Sequence, residues 1–169
     1  MKQITSNPVT NSGIALINNY LPALFDRLKL LKDNEFRTTT AQMQAVHYLQ
    51  FVVTGSDTIT EASLPLNNVL CGLPASQPVP HRIVTSDEQK KLIEGMLKSV
   101  INHWPASNNP SLTALRETWL QRTGVLGEQE DQWELTVEKR SIDVLINESP
   151  FSFSVIRYPW MEKPVHVKW

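Results

Sequence analysis

Up to Gly124 the apolar residues recur at steps of three and four, and beyond Gly127 they alternate with polar ones. The first period belongs to a helix with one buried face, the second to a strand. Ile14, Ile17, Leu21, Leu24 or Phe25, Leu28 and Leu31 predict a first helix capped by Ser12, with Pro22 forcing a kink or a fresh start near Leu21. A second helix is predicted from Thr38–Thr40 to about Thr54. It buries Met43, Val46, Leu49, Val52 and Val53, and Gly55 takes the left-handed position past its end. A short helical turn over Pro65–Leu70 is stopped by Gly72 and Pro74, and the proline-rich stretch from Pro74 to Pro80 reads as an extended connector.

The next segment carries the clearest helix signature, because Thr85 and Ser86 stand at capping-box spacing from Glu88 and Gln89. Leu92, Met96, Val100 and Trp104, with Leu97 and Ile101, form its apolar stripe, and Pro105 ends it. One more helix is predicted with Asn109 as cap, Pro110 first, Leu112, Leu115, Trp119 and Leu120 inward, and Gly124 after the end. Then the period changes. Trp133, Leu135 and Val137 alternate with polar neighbours, as do Ile142, Val144 and Ile146 after a tight connection at Lys139–Ser141, the pattern of a hairpin. A third strand is expected around Phe153–Tyr158 and a last one over Val165, Val167 and Trp169. The expectation is an α+β fold in one compact domain over 1–169, helical over about 12–124 and followed by a small antiparallel sheet over about 130–169.

Hydrophobic residues make up 41% of the 169 positions and charged ones 20%, enough for a core and too little charge for disorder. A formal charge of -1 gives no global field toward nucleic acid, and no run approaches the length needed to span a bilayer. A polar start after Met1 and a single cysteine point to a soluble, cytosolic chain.

The four histidines, His47, His81, His103 and His166, lack the close spacing of a zinc site, and the six glycines are too dispersed for a phosphate loop. No serine lies in a nucleophile elbow. Asp87–Glu88 and Glu130–Asp131 fall at a helix start and in a turn, where the helix dipole and solvation account for them. Lys90–Lys91 and Lys139–Arg140 are too short to track a nucleic-acid backbone. Cys71 ends a short helix, away from the dipole end that would lower its pKa, and reads as a buried packing residue. No catalytic residue, metal or cofactor is expected. Trp104, Trp119 and Trp133 read as core beside Cys71, whereas Trp160, with Arg157, Arg122 and Arg116, is a candidate contact residue: aromatic anchors and fork-shaped guanidinium groups dominate protein interfaces.

Several strings, in order, resemble one family. They include Leu21-Pro22-Ala23-Leu24-Phe25, Ala45-Val46-His47-Tyr48-Leu49, Leu66 to Pro74, and Val100-Ile101-Asn102-His103-Trp104-Pro105. The series continues with Leu115 to Arg122, Trp133 to Glu138, Ile156-Arg157-Tyr158-Pro159-Trp160-Met161 and Val167-Lys168-Trp169. Together they resemble contractile injection system tape measure proteins, of phage-tail-like bacterial particles in which a contractile sheath drives an inner tube. The resemblance implies a noncatalytic structural or assembly role, in tube or sheath length control or in tube-end and baseplate contacts, with assembly in the bacterial cytoplasm and incorporation in the released or anchored particle as an option. The implied partners are the inner tube, the baseplate or other tape-measure chains, with self-association as a further option and an assembly chaperone or adaptor as the alternative role. A compact chain of this size has a radius of gyration of about 15 Å. As one continuous helix it would reach only about 250 Å. A folded end-domain is therefore expected, not an extended ruler.

Overall fold

The computed structural model describes residues 5–169, so the first half of the polar start, residues 2–4, lies outside the described residues. The first strand, β1 (Thr5–Val9), leads into a 3-10 segment at Ser12–Tyr20 and the helix α1 (Leu21–Arg27). Pro22 sits in the first turn of α1, where its missing N–H costs nothing, so the chain makes two short helices with a start at Leu21. Ser12 is not a cap: its hydroxyl donates to the Arg122 carbonyl at 2.6 Å, and Asn11 precedes the segment without a side-chain cap. The helical run also stops short of Leu31. Lys29 turns left-handed and a two-stranded ribbon follows, β2 (Leu31–Lys32) and β3 (Glu35–Phe36), closed by Asp33 and Asn34 at φ of 54° and 64°. Positive φ at both central residues matches the twist of a tight hairpin.

The helix α2 (Thr39–Thr54) agrees with its signals at both ends. Thr38 accepts from the Ala41 N–H and Gly55 closes it at φ 77°. After α3 (Leu64–Leu70), the proline-rich connector is tied down, because Asn68 donates to the carbonyls of Ala75 and Gln77 and a ring nitrogen of His47 lies against that of Pro80. The capping box of α4 (Asp87–His103) is formed by Ser86 and Gln89 as expected. Its buried stripe is Ile93, Leu97, Val100 and Ile101, with Leu92 and Met96 half-exposed on its flank. The next helix starts later than Asn109: Ser111 caps α5 (Leu112–Leu115), which widens into a π-turn at Arg116–Leu120.

The sheet departs most from expectation. Helices are not followed by one antiparallel sheet; a five-stranded mixed sheet has the order β1-β4-β5-β7-β6. Its strands β4 (Gly124–Glu128), β5 (Trp133–Val137), β6 (Val155–Ile156) and β7 (Val165–Lys168) are joined at one edge by the N-terminal β1, and β5 and β7 run parallel. The hairpin partner of β5 is β4, not Ile142–Ile146. The latter alternate in sequence, yet Ser141–Glu148 coils into 3-10 turns and leaves Ile142 and Val144 exposed. The reason is local: Asp143 accepts from the Arg140 N–H and from Arg122, and a strand would carry it away from both. Gly124 opens β4 instead of closing a helix, and the close approach of β5 requires glycine there, since a Cβ would lie 2.6 Å from the Thr136 oxygen. Pro8 is accommodated in β1, which takes the sheet's edge.

The inner face of the sheet, with Leu126, Leu135 and Val165 fully buried, packs against the Ser12–Tyr20 segment and the helices to form the core. Ser6, Val125, Thr136 and Lys168 are on the exposed face.

Candidate functional site

The two candidate contact arginines that follow α5 point inward. Arg116 donates from Nε to the Val52 carbonyl at 3.0 Å and from Nη2 to that of Phe51 at 3.1 Å, with its guanidinium over the Phe51 ring. It thereby caps the C-terminal carbonyls of α2, the negative end of that helix dipole. Burial lowers its pKa and Glu94 opposes the shift.

Arg122 is fully buried and organises the C-terminal half. Its fork grips Asp143 with two bonds, 3.0 Å from Nη1 and 2.6 Å from Nη2, while Nε donates to Thr118 and Nη1 also to Glu138. The guanidinium lies 5.3 Å from the Trp119 ring centre and 5.5 Å from that of Trp169, whose Nε1 donates to Asp143 at 2.9 Å. Burial pushes the Asp143 carboxyl up. The bonds from Arg122, the Arg140 N–H and Trp169, with the guanidinium charge, outweigh it and hold the group below its ordinary value. One ion pair thus joins the chain just after the π-turn, the 3-10 turns of Ser141–Glu148 and the end of β7.

Trp160 and Arg157 lie nearer the surface. Arg157 is exposed, and Trp160 is half-buried with its Nε1 donating to the Leu70 carbonyl and its ring on Phe25, Phe36 and Tyr158. Gly72 lies beneath Trp160, at φ 78° with the Trp160 oxygen 2.4 Å from where a Cβ would be. Beside this corner a cleft of about 310 Å³ runs between β1 and the loop after Gly72. Lys163 spans it, bonded to Glu128 and to the Gln129 carbonyl.

Trp104 is fully buried and its ring centre is 4.7 Å from that of Trp119; Trp133 and Cys71 are buried as well. Burial raises the Cys71 thiol well above its ordinary pKa, which leaves it protonated at neutral pH. Among the described residues no three His, Cys, Asp or Glu side chains form a group able to hold a metal, and no helix is long and apolar enough to cross a membrane.

Asp143, the partner of Arg122, had no sequence signal of its own: it lies twenty-one residues away in a stretch whose period reads as strand. The family described as contractile injection system tape measure protein matches residues 2–169. No curated protein and no solved structure matches the chain. Since that match takes in essentially the whole sequence, this protein belongs to the contractile injection system tape measure protein family and is a component of such a system.

Proposed function

We propose that the chain works as a noncatalytic assembly component, a folded end-domain of the tape-measure system that docks on the inner tube, the baseplate or another tape-measure chain. The observation that carries this reading is the family match over residues 2–169 on a sequence that folds into a packed body. The longest helix, α4, has 17 residues and so extends only about 25 Å. A ruler is extended; nothing in this stretch of chain supplies that length. Arg157 and the exposed part of Trp160 are the contact residues of this reading, since both remain accessible at one corner of the fold.

Mass spectrometry of intact particles, paired with electron microscopy of particles made without this gene, tests the reading. The end-domain role expects the protein in mature particles and baseplates without tubes when it is missing. Tubes of scattered length would instead make it the ruler. A protein required for assembly yet absent from finished particles would make it a chaperone or adaptor.

A further inference from the structure

Between α1 and α4 the surface opens into a groove of about 440 Å³. Its floor is apolar, from Leu24 on one helix and Leu92 and Met96 on the other. The only formally charged side chains that line it are Arg27 and Lys91, and neither forms an ion pair among the described residues. In a chain whose charges nearly cancel, at a net -1, a trough lined by two cations and no Asp or Glu is a local positive patch. The groove runs on past the Tyr20 hydroxyl, hydrogen-bonded at 2.6 Å to Nδ1 of His103, into a second uncharged hollow against Phe151.

Gly95 lies in the middle of α4, and a Cβ built there meets nothing within 4 Å. Glycine in a helix interior is destabilising relative to alanine and is retained where another backbone comes close. Among the described residues no other backbone reaches the space that a Gly95 side chain would fill.

We propose that this groove binds an amphipathic helix of another particle protein, one whose apolar stripe is flanked by acidic residues. The stripe lies over Leu24, Leu92 and Met96 with its backbone near Gly95, and the flanking carboxylates meet Arg27 and Lys91. Ridge-in-groove packing needs a trough of this kind, and a flexible methionine in its floor adapts to the ridge. The occupant has about three turns, since α4 from Lys91 to His103 rises about 18 Å. A second copy of this chain docked groove to groove would bring a face of α4 that carries Lys91 and no Asp or Glu, since Asp87, Glu88 and Glu94 lie outside the lining, so complementarity favours a different, acidic partner. The inference rests on surface chemistry and holds for an end-domain and a chaperone alike.

A photoreactive benzophenone amino acid in place of Ser99, in the full-length chain co-produced with the other particle components, reads the occupant directly. The expected crosslink falls in a segment of a different protein with apolar residues every three or four positions and more acidic than basic residues. Gly95→Leu fills the trough from an open position: it is expected to cut the crosslink at least tenfold without lowering the melting temperature. Arg27→Glu with Lys91→Glu is expected to cut it by a similar factor. A crosslink to a second copy of this chain, to a segment without acidic excess, undiminished yield in Gly95→Leu, or no crosslink overturns the proposal. The composition experiment above reads whether the chain stays in the particle, so the two failures are told apart.

Discussion

Asp143→Asn is the sharpest test of how the C-terminal half is held. It keeps the shape of the side chain and removes the charge facing a guanidinium with no exposed surface. Arg122 would retain its bonds to the carbonyls of Thr118 and Glu138 but lose its countercharge. Breaking a buried pair from one side costs about 3–5 kcal/mol. Asp143 retains 14% side-chain exposure, which places the cost at the lower end of that range. Against a total stability of about 5–15 kcal/mol, this is a large fraction. Arg122→Met should cost a similar amount, because it strands the carboxylate instead. The double variant Arg122→Met/Asp143→Leu replaces both charges with apolar groups and should recover at least about 2 kcal/mol of the summed loss, the coupling expected of a buried pair. Urea unfolding of the three variants measures all of this. Single variants within about 1 kcal/mol of the parent, or losses that simply add, would show that the pair does not hold the interior together.

The same carboxylate sets an acid limit. Asp143 and Asp57 are both held below their ordinary pKa, Asp57 by hydrogen bonds from Thr85 and Arg82 that outweigh its burial. A depressed carboxylate stabilises the fold above its unfolded pKa of about 3.9 and loses that contribution as pH falls through the lower folded value. Stability should therefore hold above about pH 4 and decline below it, less steeply in Asp143→Asn; equal acid slopes would contradict this. Trp104→Ala and Trp119→Ala should each cost about 3–5 kcal/mol in thermal or urea unfolding. Trp104→Phe should cost much less, since the Trp104 Nε1 has no hydrogen-bond acceptor among the described residues. Gly13→Ala should unfold the chain, because its Cβ would fall 1.7 Å from the Trp119 oxygen, whereas Gly95→Ala should raise stability by up to about 1 kcal/mol. Thiol reagents should label Cys71 slowly in the native protein and quickly in denaturant; rapid native labelling would contradict its burial.

Local chemistry was legible in the sequence wherever its cause lies within a few residues. The cap at Thr38, the capping box at Ser86 and the left-handed Gly55 are all short-range devices, and the structure has each of them. Pairings across long separations were not legible. Strand β4 contains two glycines and only two strongly apolar residues, so no alternation announces it, and β1 is recognisable as a strand only through its pairing with β4. The reverse holds at Ile142–Ile146, where the period of a strand is real but the backbone follows Asp143 to Arg122.

The arginines make the same point about the candidate site. A fork-shaped side chain recognises carbonyls and carboxylates equally well on a partner or within its own fold. Arg116 and Arg122 both follow α5, where a π-turn directs one toward the end of α2 and the other toward Asp143. Composition and spacing carry no sign of that turn. The groove proposed above is likewise lined by residues without a distinctive signature: Gly95, whose missing side chain would meet nothing, and Arg27 and Lys91, which no acid in the groove neutralises. In this fold the conspicuous Trp104, Trp119, Arg116 and Arg122 stabilise the body. The trough proposed as a partner site becomes visible only when two helices distant in sequence lie side by side. Exchanging the trough's two cations for acids should therefore change which helix binds while lowering stability in urea by no more than about 1 kcal/mol, most of it from Arg27 in the last turn of α1, where the dipole favours a cation. A large loss of stability in that variant would place Arg27 and Lys91 in the structural framework instead.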